Sequence, residues 1–433
     1  MKTNRPQKNN SGTWQTIPVG DVFTFVKSYA FSRDNLSNGI LSSDKIGNIH
    51  YGDIHATFTS ENIDLSKVQI PIVKDVAFSP KKEDLLKDGD LIMADASEDY
   101  DGIGVTISVH GIGKNKVVGG LHTFVLRDEK GLTTEYYRQY IFLNKEIRNK
   151  LQKVANGVSV YGISKTALAK MELPLPSLSE QNRIVSVLET WDKSIENLEE
   201  KIEIKKHIKK ALVSDLLTGK KRLGGFSDKW ETVELGNICE IKRGGSPRPI
   251  QNYITEEKDG LNWLRIGDVP IGDRYIYKTS EKIRKEGLNK TTLVKEGDFI
   301  LSNSMSFGRP YIMKTEACIH DGWLALMNVS ASINKDFLYY LLSSPKTQSV
   351  FRSISAGSGV LNLKKETVSE VVIKIPKLKE QVLIANILTT TDNEIDSLEK
   401  KLSILKEQKR YILCNLITGK IRTPETLSTK LTK

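Results

Sequence analysis

The chain carries one long segment twice. Residues 176–222 align with residues 376–422 at a constant offset of 200 and without a gap. Pro176, Glu180, Gln181, Ile184, Leu188, Asp192, Ile195, Leu198, Lys201, Leu216, Thr218, Gly219, Lys220 and Arg222 all recur as the same residue in the second copy. Apolar residues advance in alternating steps of four and three, through Ile184, Leu188, Trp191, Ile195, Leu198 and Ile202 in the first copy. Ile384, Leu388, Ile395, Leu398, Leu402, Leu405, Ile412 and Leu416 keep the same register in the second. This is the heptad spacing of a helix with a single apolar seam. Pro176 and Pro376 precede the helices, Ser179 is placed to cap the first, and Gly219 and Gly419 stop both. A helix over residues 179–218 is roughly 60 Å long at ~1.5 Å per residue, more than a small globular domain needs, so each copy is expected to be a spacer or pairing rod.

Charge predicts how the rods pair. Residues 180–200 hold two basic and six acidic side chains, residues 201–222 eight basic and two acidic, and the second copy repeats this acidic-to-basic polarity. Parallel rods would set like against like along their length. In the antiparallel arrangement each acidic half meets a basic half and the helix dipoles also oppose favourably, so an intramolecular antiparallel coiled coil is expected. The same polarity would also serve each helix's own dipole.

The flanking regions repeat more loosely. Residues 14–22 (WQTIPVGDV) match residues 230–238 (WETVELGNI), Gly52-Asp53-Ile54 matches Gly267-Asp268-Val269, and Gly89-Asp90-Leu91-Ile92 matches Gly297-Asp298-Phe299-Ile300. Gly157 and Val160 recur as Gly357 and Val360. The expected organisation is a disordered arm (1–13), a globular unit (14–176), a helical spacer (177–222), a second unit (223–376), a second spacer (377–422) and a tail (423–433). β-rich runs at 90–93, 299–302 and 371–375 alternate with helical ones at 136–149 and 335–342, so both units are predicted to be mixed α/β (α+β) and the whole a pseudo-two-fold repeat.

Composition narrows the classes. No apolar run approaches the ~20 residues of a membrane helix, and the start MKTNRPQKNNSG lacks a signal-peptide core, which predicts a soluble, cytoplasmic protein. Cys239, Cys318 and Cys414 are odd in number and far apart, against a disulfide framework or zinc site. The net charge of +11 is spread over the units and rods, and alone is only weakly suggestive of a nucleic-acid partner. LLTGK and LITGK end in the manner of a P-loop but have Ser214 and Cys414 where its first Gly belongs and Lys221 and Ile421 where its Ser/Thr belongs, so they read as helix stops. Gly111 and Gly113 lack the third glycine of a dinucleotide fingerprint, and no HExxH occurs. His50 and His55 read as polar loop residues, and Glu98, Asp99 and Asp101 as a solvated loop rather than a metal site.

Several loops of the units have the chemistry to meet DNA. KRGGSPRP, residues 242–249, joins flexible glycines, rigid prolines and three cations, which can bring amides and guanidinium groups to phosphates or base edges. Residues 302–310 (SNSMSFGRP) and 355–359 (SAGSG), the latter followed by Lys364, add hydroxyl, amide and cationic donors. The first unit offers residues 27–34 (KSYAFSRD), 94–101 (ADASEDYD) and 155–165 (ANGVSVYGISK) in their place. The candidate DNA-binding residues are therefore Lys27, Ser28, Tyr29, Arg33, Ser97, Tyr100, Tyr161 and Lys165 in the first unit, and Lys242, Arg243, Ser246, Arg248, Asn303, Ser304, Arg309, Ser358 and Lys364 in the second. Taken singly, any of these loops could equally be a turn.

The segments PLPSLSEQNRIVSVLETWDKSI and PKLKEQVLIANILTTTDNEI, each closing with LxTGK after a unit that opens on Trp and contains a GD strand, resemble the DNA-specificity subunits of type I restriction-modification systems. GGSP at 244–247 and GSG at 357–359 also resemble loops of that family. The resemblance covers nearly the whole chain. It implies two target recognition domains, each reading one half of a split double-stranded DNA sequence, held apart by helices that dock two methyltransferase subunits. It assigns Glu180, Gln181, Ile184, Leu188, Ile195 and Leu198, with Glu380, Gln381, Ile384, Leu388, Ile395 and Leu398, to the coiled coil and partner docking. It places S-adenosylmethionine on the methyltransferase and ATP and Mg on a restriction subunit, leaving this chain without cofactor, metal or catalytic residue. The first unit departs from the second, with KSYAFS against RGGSP, so the half-sites should differ. A self-contained methyltransferase would need an NPPY-type motif, and no adjacent prolines occur. A non-catalytic scaffold that binds proteins rather than DNA fits the rods equally well but leaves the cationic loops unexplained.

Overall fold

The computed structural model describes residues 14–58, 62–157, 160–269, 272–303, 308–355 and 362–427. The expected N-terminal arm, Ser304, Ser358 and Gly357 lie outside the described residues. The chain forms two compact units, residues 1–198 with 401–433, and residues 199–400.

Each unit pins its own ends together. Strand Gln15–Pro18 runs antiparallel to Glu172–Leu175, and Glu231–Glu234 pairs in the same way with Val372–Ile375. The chain entering a unit is thereby held beside the strand that leads into its long helix.

The central strands read as continuous apolar runs because both of their faces are covered. In the first unit a five-stranded sheet runs Thr24–Val26, Thr123–Arg127, Leu91–Ala94, Thr106–His110, Asn62–Asp64. Side chains alternate across it, as a strand's period of two requires. Leu91 and Met93 join the core under the helices, while Ile92 and Ala94 join a second core with Ile49, Ile107 and Val117. The second unit does the same: Phe299 and Leu301 face Phe337, Leu341 and the long helices, and Ile300 faces Leu264, Tyr311 and Trp323. Behind each sheet lies another, in which Ile46–Ile49 lies parallel to Lys116–Gly119 and Leu261–Leu264 parallel to Ala317–Ile319.

The long helices are Leu178–Leu217 and Leu378–Ile417, 40 residues each. Gly219 (φ 68°) and Gly419 (φ 73°) end them in the left-handed conformation that glycine adopts without strain. The first cap is Ser177 rather than Ser179: its carbonyl accepts from Gln181 N at 2.9 Å and its hydroxyl from Glu180 N at 3.4 Å. Within each unit the two helical segments run antiparallel. In the first, Glu180 bonds Arg422 and Asp192 bonds Lys409; in the second, Glu380 bonds Arg222 and Asp392 bonds Lys209, with Lys205–Glu394 (2.8 Å) and Lys206–Glu399 (3.0 Å) beyond. Moving forward along one helix moves the partner backward along the other, and acidic halves meet basic halves.

One local expectation needs correction. The helical run at 136–149 is two helices, Glu135–Ile141 and Lys145–Val154, because Asn144 Oδ1 accepts from Glu146 N and Ile147 N and so starts a new helix. The strands expected at 90–93 and 299–302 are Leu91–Ala94 and Phe299–Ser302, while Gly52-Asp53 lies on the short helix Tyr51–Ala56 and Gly267-Asp268 on the turn Ile266–Asp268. Cys239 and Cys318 are buried, and burial pushes their thiols up to about 12 and about 11, which leaves both protonated at neutral pH.

Candidate nucleic-acid interface

Backbone hydrogen bonds put the two units in register. Gly120 N bonds Ile49 O (2.7 Å) as His320 N bonds Leu264 O (3.1 Å); Tyr29 N bonds Gly119 O (2.8 Å) as Gly245 N bonds Ile319 O (3.1 Å); Asp95 N bonds His122 O (3.1 Å) as Asn303 N bonds Gly322 O (2.8 Å). The matching positions carry different side chains: Tyr29 against Gly245, His50 against Arg265, Leu121 against Asp321, His122 against Gly322 and Asp95 against Asn303. One backbone frame thus presents two chemistries.

In the second unit Lys242 and Arg243, expected in a loop, end the strand Glu240–Arg243, and the loop after it, residues 244–249, folds over the loop carrying His320 and Asp321. Ser246 Oγ donates to Asp321 Oδ1 (3.2 Å), Arg248 reaches Asp321 Oδ2 (3.5 Å), and Arg243 Nε donates to the Asp321 carbonyl (3.3 Å). Arg248 keeps 82% of its side chain exposed, so its cation is available to a ligand. The loop borders a cavity of about 540 Å³ lined by Ser246, Arg248, Trp263, Arg265, Glu281 and His320. A second recess brings Lys242, Arg243, Lys364 and Lys365 together around Thr292 and Glu366. Lys364, far in sequence from the adjacent Lys242 and Arg243, shares that cationic surface with them.

The first unit is less cationic. Arg33, Leu36, Asn38, His50, Asp53 and Pro71 line a cavity of about 270 Å³. Tyr51 stands among three imidazoles, with ring centroids at 4.5 Å to His50, 6.1 Å to His55 and 5.4 Å to His122. Burial pushes the His50 imidazole's proton affinity down; Asp53 opposes this, and Arg33 and His122 add to it. Burial likewise pushes Asp95 up, against the pull of His122 at 3.2 Å. Lys27 and Lys165 are exposed but lie over the rings of Tyr29 (4.6 Å) and Phe25 (4.9 Å). Tyr100 packs edge-on against Tyr161 at 5.3 Å.

Several sequence candidates brace this surface instead of presenting it. Ser28 Oγ donates to Thr123 O (2.9 Å), Tyr29 Oη donates to Asp84 (2.6 Å), and Ser97 is buried, its hydroxyl accepting from Asp99 N (3.3 Å). Asn303 is 1% exposed, and Arg309 is half-buried with Nη1 enclosed. His50 and His55 are not loop residues: His50 caps the helix Tyr51–Ala56 and His55 sits on it. Sequence reasoning passed over His50, Tyr51, His122, Trp263, Arg265, His320 and Asp321. One signal was available, since His50 and Arg265 both stand two residues before the glycine of the repeated Gly-Asp. Among the described residues no group of three or more His, Cys, Asp or Glu could hold a metal ion.

The repeated helix signature is used inside the chain. Glu180 and Glu380 are 3% and 1% exposed, and each accepts two bonds from an arginine of the opposite helix's end, Arg422 (2.6 and 2.7 Å) and Arg222 (2.7 and 2.8 Å). The guanidinium groups lie over Trp14 (5.6 Å) and Trp230 (5.7 Å). Burial would raise the Glu180 carboxyl, but the Arg422 bonds, joined by Trp14 Nε1, outweigh it and hold the group below the usual range. Gln181 Nε2 donates to the carbonyls of Leu132 and Pro176 while its Oε1 accepts from Thr134 N, and Gln381 repeats this with Ser332, Pro376 and Asn334. Tyr140 and Tyr340 donate to Asp192 and Asp392, both at 2.7 Å. Ile184, Leu188, Leu198, Ile384, Leu388 and Ile395 are buried, and Ile195 and Leu398 half-buried. These residues therefore hold helix to helix and helix to unit, and are covered; the apolar side chains left open on the helices include Ile204 (52% exposed) and Ile404 (55%).

The chain belongs to the family of type I restriction modification DNA specificity domains, whose model matches residues 11–206 and again residues 227–407. It is 25% identical over 430 residues to the putative type I restriction enzyme MjaX specificity subunit of Methanocaldococcus jannaschii, covering 94% of each chain. It is 20% identical over 418 residues to the type I restriction enzyme EcoKI specificity subunit of Escherichia coli K12, covering 90% of this chain and 84% of that one. Its fold is similar to that of the HsdS subunit from Thermoanaerobacter tengcongensis, with a TM-score of 0.54, 18% identity, and 96% and 99% of the two chains covered. It is also similar to a chain from a structural study of complex assembly and conformational transition in the type I R-M system, with a TM-score of 0.62, 18% identity, and 96% and 100% covered. The chain is thus a sequence-specificity subunit, a targeting component and not the catalyst. Membership in a DNA-specificity family sets the protein-scaffold alternative aside.

Proposed function

We propose that the two units read different halves of an asymmetric, interrupted duplex DNA sequence, and that the helices running between them fix the unread gap. The observation that carries this is the shared backbone frame with unlike side chains: a Tyr–His surface in the first unit and an Arg–Lys surface in the second. Direct readout depends on which donors and acceptors reach a base edge, so unlike side chains on one frame select unlike bases. The readers are proposed to be the units at 14–176 and 223–376, the spacers residues 177–222 and 377–422.

Two methyltransferase subunits are the proposed partners, carrying S-adenosylmethionine, with restriction subunits and their ATP and Mg joining through the complex. Ile204 and Ile404 support two equivalent docking points, since the same apolar residue is left uncovered once in each unit at the repeat offset. Among the described residues no helix is long and apolar enough to cross a membrane, which suits a proposed place of work in the cytoplasm, with the DNA. Lys242, Arg243, Arg248 and Lys364 are the proposed DNA contacts of the second unit; Arg33, Tyr100, Tyr161 and Lys165 those of the first.

Reconstitution tests this. The isolated chain should transfer no labelled methyl group to DNA, and sequence-specific methylation should appear on adding its modification partner. Exchanging residues 223–376 for the corresponding unit of another family member should change one half-site only. Two unchanged half-sites would reject the assignment.

A further inference from the structure

We infer that His50 in the first unit and Arg265 in the second are equivalent base-reading residues, each offering hydrogen-bond donors to the acceptor edge of one base in the major groove, with Asp53 and Asp268 as their positioning residues. The inference rests on the reading of the units as half-site readers and assigns particular side chains within it.

Three observations meet at this position. The first is register. Each residue directly follows a strand of the rear sheet, Ile46–Ile49 or Leu261–Leu264, and donates its backbone N–H to a carboxylate three residues on: His50 N to Asp53 Oδ2 and Arg265 N to Asp268 Oδ2, both at 2.9 Å. The repeated aspartate is explained by this, because it turns the chain and holds the backbone of the residue three before it. Gly52 leaves room for Arg33, whose Nη2 would stand 3.1 Å from a Cβ there.

The second is the cavity. His50 shares its cavity with Arg33 from the segment 27–34, and Arg265 shares its own with Ser246 and Arg248 from the loop 244–249. Those loops occupy matching places, since Tyr29 N and Gly245 N make the same bond to the strand beneath. In both units, therefore, the loop with DNA-binding chemistry and the residue three before the repeated aspartate open into one recess.

The third is donor chemistry. His50 Nδ1 accepts from Gly52 N at 3.0 Å, so the neutral ring carries its proton on Nε2 and offers a single donor. Burial, which disfavours the charged imidazole, keeps it in that form. Arg265 Nη1 lies 2.9 Å from Glu281 and its Nη2 donates to Ser280 Oγ at 3.2 Å, which fixes the guanidinium plane while leaving further N–H groups of the fork. A fork matches the paired acceptors of guanine; one N–H matches a lone acceptor, purine N7 or thymine O4. A surface salt bridge to Glu281 alone would explain neither the shared cavity nor the repeated carboxylate beneath.

The test uses the assembled modification complex and genome-wide methylation sequencing. Arg265→Ala should keep the first half-site and the gap, and lose discrimination at one position of the second half-site by roughly 10- to 100-fold. Arg265→Lys, which keeps the charge and loses the fork, should relax the same position. His50→Gln should relax one position of the first half-site only. Asp268→Asn should relax the position that Arg265→Ala relaxes and add nothing to it in the double variant, whereas a merely structural role would lower methylation of all sites alike. If a variant methylates too weakly to sequence, binding of its complex to duplexes with one half-site fixed and the other randomised reads the same positions. Wild-type preference at every position in both Arg265→Ala and His50→Gln overturns the inference and leaves the half-site reading standing. A 223–376 exchange that alters neither half-site overturns that reading instead.

Discussion

Glu180 and Arg422 lie 242 positions apart in sequence, yet they form one of the tightest polar contacts of the first unit. Removing the carboxylate in Glu180→Gln should lower the unit's stability by about 1–3 kcal/mol, less than a wholly buried pair would lose, because Arg422 is 45% exposed and can rehydrate. Equilibrium urea unfolding of the variant, with Arg422→Ala and the double variant completing a cycle, measures the coupling. The sign with pH follows from the carboxyl being held below its ordinary value in the folded state. That stabilisation is complete above the unfolded value of about 4.3 and is lost as pH falls through the lower folded one, so the wild-type advantage over Glu180→Gln should be level from pH 8 to 6 and shrink below about pH 4. On the recognition surface, Arg243→Ala and Arg248→Ala should each weaken specific DNA binding by about 1–3 kcal/mol with the fold intact, measurable by titration of the complex on its duplex. Arg309→Ala is a poorer test because the half-buried side chain also packs within the unit. The seam residues were legible in the sequence because burial on a helix leaves a period; the Glu–Arg pairing was not, although both partners recur at the offset of 200, because nothing local records which distant cation a carboxylate will meet. Arg265 and His50 were hidden for a related reason, since their role depends on a cavity closed by a loop from elsewhere in the unit.

The long helices were the most legible elements. The bounds of the first, Leu178–Leu217, fall within a residue of the 179–218 read from the proline, heptad and glycine signals, the second repeats them at Leu378–Ile417, and the antiparallel sense follows from charge. The short elements were harder to place. A period of two needs several residues to declare itself, and strands such as Ile72–Val73 or Tyr275–Ile276 have two. Leu198 is buried on its helix and Leu398 half-buried, so an aspartate at the first position should cost several kcal/mol and at the second distinctly less. For Leu198→Asp the expected phenotype is loss of assembly with the modification partner while the units keep their far-ultraviolet circular dichroism. Normal assembly and methylation by that variant would mean that the seam does not hold the helices together.

At the scale of the whole molecule, the division of labour between readers and spacer is the central claim. The helices pass from one compact unit to the other between residues 198 and 199 and between residues 400 and 401, close to the centre of each 40-residue run. A heptad inserted in both helices, near Lys201 and Lys401, preserves the seam and the charge pairing and adds roughly 10 Å at ~1.5 Å per residue. Duplex DNA rises ~3.4 Å per base pair, so the two half-sites should be recognised about three base pairs further apart, with the added rotation of roughly a third of a turn absorbed by DNA twist or tilt and activity reduced accordingly. The decisive measurement is the methylome of a host carrying the double-heptad variant with its modification partner. The account predicts both wild-type half-sites unchanged and the gap between them longer by about three base pairs; altered bases with the original gap would contradict it.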